Sequence, residues 1–240
     1  MDQEWIDTPF REAVDAANAC LQEYRQGRGR LRILEAGCGS CRRFELGDAW
    51  LLGVDISPEQ LSRQESVDET ILGDIQDCAL PEASFDVAVC WMVLEHLDRP
   101  LAALDNLRRA LKPGGLLVLG MPNPLSAKGL FTRLTPHRIH VLYYRKVEGL
   151  AWAGTEGRGP FRTTMHLAIS PQGLRRYAER AGLEVLLMKV YEDQMQRRLR
   201  TRSRALHLAG RALSLTRHLA PGGFDVVADS ECVCILRVQP

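Results

Sequence analysis

Three segments of the sequence combine glycines or carboxylates with the end of an apolar stretch. In the first, Glu35 precedes Gly37–Gly39, whose glycines let the backbone approach a ligand closely and expose N–H groups. Asp55 ends the second stretch, where a carboxylate can accept hydrogen bonds from the ribose hydroxyls of an adenosine ligand. Asp74 and Ile75 follow the third, where a carboxylate can accept from an adenine amino group and an apolar neighbour can pack on the ring.

Each of these segments also has a simpler interpretation. Gly-x-Gly turns are common in α/β proteins, Gly73-Asp74 can be an ordinary turn, and Asp55 can merely cap a helix that starts near Ser57. A dinucleotide-binding fingerprint would also require glycine at position 42, which is Arg42. The sequence therefore disfavours a nicotinamide or flavin cofactor.

The elements that must position these residues alternate between short apolar strands and helices. This order predicts an α/β fold with a doubly wound, mostly parallel, Rossmann-like sheet covered on both faces. Ligands of such sheets bind outside the carboxyl ends of the strands, where all three segments fall. The predicted strands are 31–35, 51–55, 70–72, 85–91, 116–119, 183–190 and 232–238, and the predicted helices are 9–26, 57–66, 99–111 and 170–181.

The ordered set of motifs resembles the class I S-adenosylmethionine (SAM)-dependent methyltransferases over about residues 31–122. It is closest to the small-molecule branch that resembles the ubiquinone and menaquinone biosynthesis enzymes. The motifs are Ile-Leu-Glu-Ala-Gly-Cys-Gly, Gly-Val-Asp-Ile-Ser, Gly-Asp-Ile, Phe-Asp-Val-Ala-Val-Cys-Trp-Met-Val-Leu-Glu-His-Leu and Leu-Lys-Pro-Gly-Gly-Leu-Leu-Val-Leu.

The resemblance implies SAM as the methyl donor, S-adenosylhomocysteine as its product, and a seventh, reversed strand at 232–238. It also implies a set of cofactor contacts: Glu35, Gly37, Cys38 and Gly39 around the methionine part; Asp55 at the ribose; Ile56, Asp74 and Ile75 at the adenine; Cys90, Trp91 and Met92 at the sulfonium; and His96 in the Leu-Glu-His-Leu position.

Two departures from the family pattern concern the first loop and the C-terminal part. Cys41 stands where the family commonly has glycine, so the loop is expected to sit differently. The family joins its last two strands by a short hairpin, whereas here about 40 residues intervene, including an arginine-rich stretch predicted as a basic helical insert at 194–220.

The segment after the fifth strand is where the family often covers the acceptor. In a single domain spanning 1–240, with an N-terminal helix in 1–30 and a cofactor core at 31–122, the acceptor lid is 123–169. Histidine suits a base near neutral pH, so His137, His140 and His166 are candidate catalytic residues. They can equally be surface or structural histidines. Methyl transfer needs mainly alignment, and the slight preference is for an oxygen acceptor.

Charge is divided unevenly, with 18 Lys/Arg against 6 Asp/Glu in residues 121–220. This bias suits an acidic or carrier-bound small molecule, an anionic membrane surface touched by 194–220, or RNA. It also suits a solvated helix face, because arginine outnumbers lysine 27 to 4 throughout. The sequence carries no recognised RNA-binding module, which disfavours nucleic acid. The alternatives are an RNA methyltransferase or a non-catalytic partner subunit with the same fold.

Composition adds expectations about location and metals. No apolar run approaches the ~20 residues that span a bilayer, and the acidic N-terminus is unlike a signal peptide, so a soluble cytoplasmic protein is expected. The seven cysteines are spread along the chain, and the Cys38/Cys41 pair has no second pair at zinc-site spacing. No metal site is expected.

Overall fold

A seven-stranded mixed sheet forms the centre of the molecule, in the order β3-β2-β1-β4-β5-β7-β6. The computed structural model describes residues 9–39, 47–147, 149–155, 159–193, 196–197, 208, 214 and 225–240. The strands are β1 (Leu31–Ala36), β2 (Ala49–Asp55), β3 (Glu69–Leu72), β4 (Phe85–Trp91), β5 (Leu111–Pro122), β6 (Leu183–Tyr191) and β7 (Glu231–Val238).

Only β7 runs against its neighbours, because β1 to β5 pair in parallel and β7 pairs antiparallel to both β5 and β6. The α/β, Rossmann-like prediction with a reversed last strand is therefore confirmed. The reversal brings the start of β7 to the carboxyl edge of the sheet, where Glu231 lies opposite Pro122 of β5.

Helices cover both faces of the sheet. On one face, Ala13, Ala17 and Leu21 of α1 join the inner residues of β1, β2, β4, β5 and β7 in a buried cluster. On the other face, buried residues of α3 and α6 complete a second cluster. The helices are α1 (Pro9–Arg25), α2 (Pro58–Leu61), α3 (Pro100–Ala110), α4 (Ala127–Leu134), α5 (His137–Lys146) and α6 (Pro171–Ala181).

Four elements differ from the sequence expectation. The predicted helix at 57–66 ends at Leu61, because the Gln64 side chain instead binds the carbonyls of Cys38 and Gly39 and the backbone N–H of Ser66. The fifth strand is longer than the predicted 116–119, since β5 also includes residues 111–115, where the β4–β5 register shifts and Gly114 has φ +76°. Two helices, α4 and α5, form in a region of weak periodicity.

Two sequence expectations fall outside the described residues. These are the loop position of Cys41 and the basic helical insert at 194–220, of which the structure describes only residues 196–197, 208 and 214. Within the described part of the chain, none of the helices has both the length and the apolar character needed to cross a membrane.

Candidate functional site

The loop that follows β1 holds its shape through two glycines in the left-handed region. Gly37 has φ +65° and Gly39 has φ +52°. Gly37 is also held tightly, because its N–H donates to the Val54 carbonyl at 2.7 Å and a Cβ at this position would overlap Val93 Cγ2. A side chain at Gly37 would collide with Val93, so this position requires glycine.

Gly37→Ala is expected to lower both stability and affinity for S-adenosylhomocysteine. The added methyl group suffers the positive φ and overlaps Val93, an overpacking cost of about 1–3 kcal/mol beyond the strain. Gly27→Ala is a matched control, because Gly27 has φ +72° but nothing within 4 Å of a Cβ. Urea unfolding and calorimetry should show a larger loss of stability for Gly37→Ala and a loss of affinity in that variant alone. Equal effects of both substitutions would exclude the contact with Val93 as the cause.

Asp55, at the carboxyl end of β2, ties the first two segments together. One carboxylate oxygen accepts from the Gly39 N–H and the other from the Ser57 N–H, each at 2.9 Å. The capping hydroxyl of α2 belongs to Ser57 itself, which accepts from the Gln60 N–H. An ionised carboxylate has about four acceptor positions, so two remain available for ligand hydroxyls.

The neighbour of Asp55 supplies an apolar surface on the same edge. The side chain of Ile56 is 69% exposed, which is costly for an isoleucine unless a ligand or partner covers it. A flat aromatic ring such as adenine would fit beside it. The resemblance assigned Ile56 to the adenine, and this assignment stays a prediction.

Asp74, after β3, is held by its own loop. Its carboxylate accepts from the backbone N–H of Gln76 at 2.9 Å and from the Gln76 side-chain amide. Ile75 differs from Ile56, because its side chain is only 5% exposed and belongs to the buried core. Its carbonyl accepts from the Asn106 side chain at 3.1 Å. The Ile75 side chain thus packs in the core at this edge of the sheet and presents no exposed surface to a ligand.

The end of β4 is densely packed. Cys90 is fully buried, which raises the pKa of its thiol far above the usual range. The Trp91 ring lies over Gly120, where a Cβ would overlap it, and makes an edge contact with Phe10 of α1 at 6.5 Å. Met92 adopts φ +55°, an unfavourable conformation for a residue with a side chain. Strain of this kind clusters at functional sites.

Glu95 and His96 follow β4 in a short 3-10 helix, Leu94–His96. Glu95 is 4% exposed, and burial raises the pKa of its carboxyl to about 8. His96 Nδ1 lies 2.8 Å from the Arg162 carbonyl oxygen. Because a carbonyl can only accept, neutral His96 must carry its proton on Nδ1, which leaves a basic lone pair on Nε2. Burial lowers the pKa of His96, so this neutral form extends to lower pH.

Residues far along the chain, in the segment predicted as the acceptor lid, bind the backbone carbonyl of Glu95. The N–H groups of Thr164 and Met165 donate to the Glu95 carbonyl at 2.8 and 3.1 Å. The Phe161 ring meets the His96 ring edge-on at 5.9 Å. The Glu95–His96 pair therefore lies between the sheet edge and the segment predicted as the acceptor lid. The sequence motif placed His96 here but did not identify Glu95 as a site residue.

A second group of buried charges lies at the same edge and was not predicted. Lys128 Nζ lies 2.6 Å from Glu231 Oε1 and 3.1 Å from Asp193 Oδ2. Glu231 is 3% exposed, and burial raises the pKa of its carboxyl while Lys128 opposes that effect. The Lys128–Glu231 ion pair joins α4 to the start of β7, so it holds α4 against the sheet. Its members are separated by 103 positions, and no local pattern could have paired them.

The three histidines predicted as catalytic each have hydrogen-bond partners different from that of His96. His137 Nε2 donates to the Pro160 carbonyl at 2.9 Å, and His140 Nε2 contacts the Thr135 hydroxyl. Their rings lie 6.4 Å apart on α5. His166 Nδ1 accepts from the Ala168 N–H at 3.2 Å, as the cap of a 3-10 turn. These bonds give each histidine a structural role that does not require a ligand.

The described residues contain no group of three or more His, Cys, Asp or Glu side chains arranged to hold a metal ion. The cofactor-site residues offer carboxylate oxygens, backbone N–H groups and one exposed apolar side chain. That chemistry fits an adenosine-containing ligand: hydroxyls for Asp55, a flat ring for Ile56, and room beside the Gly37–Gly39 backbone.

Comparison with protein families gives one model, described as a methyltransferase domain, that matches residues 9–187. A malonyl-[acyl-carrier protein] O-methyltransferase of Erwinia pyrifoliae is 33% identical to this chain. The match covers 40% of this chain and 38% of the length of that protein. A ubiquinone biosynthesis O-methyltransferase of Xanthomonas campestris pv. campestris is 34% identical over 50% of this chain and 56% of its own. The matched region thus spans about half, or less, of the length of these relatives.

Solved structures agree on the fold. A crystal structure of an S-adenosylmethionine dependent methyltransferase from Mesorhizobium loti superposes with a TM-score of 0.52. The match covers 93% of this chain and 99% of that one at 20% sequence identity. At this identity the likeness extends to the arrangement of the strands and helices alone.

Proposed function

We propose, because this chain belongs to the methyltransferase domain family, that it transfers a methyl group from SAM to an oxygen of a small-molecule acceptor. The observation that carries the proposal is the pairing of Asp55 with the Gly37–Gly39 loop, whose Gly39 N–H it holds at 2.9 Å. A carboxylate and a glycine turn fixed to one another at adjacent strand ends suit the ribose and methionine parts of one ligand.

The cofactor contacts in this proposal are those that the sequence motifs indicate. Asp55 binds the ribose hydroxyls with its remaining acceptor positions, and exposed Ile56 packs on the adenine. Asp74 is positioned for the adenine amino group by its bonds to Gln76. The ends of β1 and β4 enclose the remainder, with Glu35, Cys38 and Gly39 on one side and Cys90, Trp91 and Met92 on the other.

Asp55→Ala is expected to weaken binding of S-adenosylhomocysteine by about 1–3 kcal/mol, the range for lost hydrogen bonds to a charged group. Asp68→Ala is a matched control. Asp68 also accepts from a backbone N–H of β2, that of Leu51 at 2.8 Å, but near the opposite end of the strand. Calorimetry should show weaker binding in Asp55→Ala and none of this loss in Asp68→Ala. Unchanged affinity in Asp55→Ala would remove this residue from the site.

The chain's own residues have two tasks in methyl transfer. SAM supplies a methyl group on a positively charged sulfur, which is already an activated leaving group. The protein therefore needs to align the acceptor and exclude water, and alignment can contribute ~7–11 kcal/mol. A hydroxyl acceptor must also lose its proton. His96 Nε2 is suited to take that proton, because its Nδ1–H is fixed on the Arg162 carbonyl.

Glu95 lies next to His96 but contributes no charge that would stabilise a protonated imidazole. The distance from Glu95 Oε1 to His96 Nε2 is 3.7 Å, too long for a direct hydrogen bond. With its pKa raised to about 8, the Glu95 carboxyl is neutral at pH 7 and does not stabilise a protonated His96. The other candidates for the base are His137, His140 and His166. A His→Gln substitution at each position distinguishes among them.

The preference for oxygen is supported by both relatives, a malonyl-[acyl-carrier protein] O-methyltransferase and a ubiquinone biosynthesis O-methyltransferase. The acceptor class proposed for this chain is accordingly a small molecule, free or attached to a carrier. A hydroxyl acceptor agrees best with a proton-accepting His96.

The decisive experiment supplies methyl-labelled SAM with fractionated cell extract and identifies the labelled product by mass spectrometry. A labelled small molecule, methylated on oxygen, supports the proposal. Label in bulk RNA, with steeply salt-dependent RNA binding, would instead establish an RNA methyltransferase. A chain that binds S-adenosylhomocysteine but labels nothing in any fraction would be a non-catalytic partner subunit.

A further inference from the structure

Helix α4 exposes its large apolar side chains to solvent, which is unusual for a helix in a globular protein. Leu130, Phe131 and Leu134 are spaced at i, i+1 and i+4, so they lie on one side of the helix. A surface helix normally turns such a stripe toward the core. Here the three side chains are 42%, 61% and 80% exposed, and the stripe faces away from the sheet.

The next helix along the chain also exposes large apolar side chains. Ile139 and Leu142 of α5, one turn apart, are 45% and 55% exposed. Among the described residues, eight of the twelve exposed large hydrophobic side chains lie between positions 130 and 161. Scattered apolar residues on a surface need no explanation, but a concentration of this kind marks an interaction site. We name Leu130, Phe131, Leu134, Ile139 and Leu142 the outer stripe.

Positive charge surrounds the outer stripe. From Ala127 to Val147 the sequence contains five Lys or Arg residues and no Asp or Glu. Lys128 is engaged with Glu231 and Asp193 on the inner side. The other four are exposed and follow both helices: Arg133, Arg138, Arg145 and Lys146.

We propose that α4 and α5 dock on an anionic lipid bilayer, with the outer stripe inserted at the level of the headgroups. Protruding apolar side chains flanked by basic residues are the composition of interfacial helices. The charges are spread from position 133 to 146, which suits a diffuse negative surface better than one acidic patch on a protein. The helices are short, so the contact is reversible and depends on lipid charge.

The docking surface goes beyond methyl transfer and is independent of it. Lipid binding uses side chains on the outer side of the lid, whereas the cofactor residues lie at the sheet edge. Vesicle binding can be measured without SAM, and calorimetry with S-adenosylhomocysteine can be measured without vesicles. Failure of one result therefore leaves the other intact.

The test is flotation of the purified full chain with two kinds of vesicles: phosphatidylcholine alone, and phosphatidylcholine mixed with phosphatidylglycerol. The expected result is association with the mixed vesicles, weakened by added salt. The double variant Phe131→Glu/Leu134→Glu should lower the partition coefficient by roughly tenfold or more, because both side chains lose their burial in the bilayer. Arg133→Gln/Arg138→Gln should reduce binding to the mixed vesicles selectively.

Leu72→Glu provides the matched control, because Leu72 is 60% exposed on β3, away from the lid. It should bind vesicles like the unmodified chain, and thermal melts should show that all variants are folded. Absence of vesicle binding by the unmodified chain would overturn the proposal. So would equal binding to both kinds of vesicles, or a concentration-dependent dimer that Phe131→Glu/Leu134→Glu abolishes while vesicle binding is absent.

Discussion

His96→Gln is expected to lower kcat by about 10²–10⁴-fold, the usual contribution of a general base, and to leave the affinity for S-adenosylhomocysteine unchanged. The physical reason is the tautomer. The Arg162 carbonyl holds the proton on Nδ1, so Nε2 is the atom that accepts a proton from the acceptor. Glutamine can retain a polar contact but cannot take a proton at neutral pH.

The pH profile makes this prediction specific. A base works only when unprotonated, so activity falls as pH drops through the pKa of His96. Burial lowers that pKa, so the acid limb should lie below about 6.5, the ordinary value for histidine. The limb should be absent from the residual activity of His96→Gln. Rates are measured with the acceptor that the labelling experiment identifies.

His166→Gln is the control, since His166 is exposed and its Nδ1 accepts from the Ala168 N–H within its own turn. His137→Gln and His140→Gln complete the comparison. A large loss of kcat in one of these variants, with His96→Gln still active, would return the role of base to the lid. A loss of cofactor affinity in His96→Gln would instead place His96 in the cofactor wall, as the sequence motif indicates.

Glu95→Gln is expected to change how stability depends on pH. The folded-state pKa of Glu95 is raised from 4.5 to about 8 by burial. The folded protein therefore retains a proton that the unfolded chain releases above pH 4.5, and the stabilising contribution is lost as pH rises toward 8. Glutamine has the same shape and does not titrate. Relative to the unmodified chain, Glu95→Gln should gain roughly 3–4 kcal/mol of unfolding free energy between pH 5 and pH 8.

Urea unfolding at pH 5, 6.5 and 8 measures this difference. The other titratable groups around Glu95 are His96, Cys90, Glu231 and Lys128, and they are common to both proteins. Glu82→Gln, at an exposed position, serves as the control and should show no such trend. A constant difference between Glu95→Gln and the unmodified chain at all three pH values would mean that Glu95 is ionised in the folded state.

The cofactor edge could be predicted from the sequence because its determinants are local. A glycine after a buried strand requires a left-handed turn, and a carboxylate at the next strand end meets it, since parallel strands end on the same edge. Gly37 and Asp55 are therefore found where the spacing predicts. The mostly parallel sheet and the reversed β7 were predicted in the same way, from the apolar segments and the family resemblance.

Other features depended on packing between distant residues. Thr164 and Met165, far along the chain, donate to the backbone carbonyl of the buried Glu95, and a glutamate after a strand is ordinarily exposed. The sequence also treated Ile56 and Ile75 alike, although only Ile56 is exposed, because the direction of a loop side chain is set by tertiary contacts. Helices α4 and α5 were missed because they pack through few apolar residues and leave the outer stripe exposed.

Calorimetric titration of the purified full chain with S-adenosylhomocysteine measures whether the proposed cofactor site exists. We expect saturable binding at one site per chain, weakened by Asp55→Ala and unaffected by Asp68→Ala. Undetectable binding at millimolar ligand, with a chain that melts cooperatively, would contradict the assignment of the Gly37–Gly39 loop and Asp55 as a SAM site.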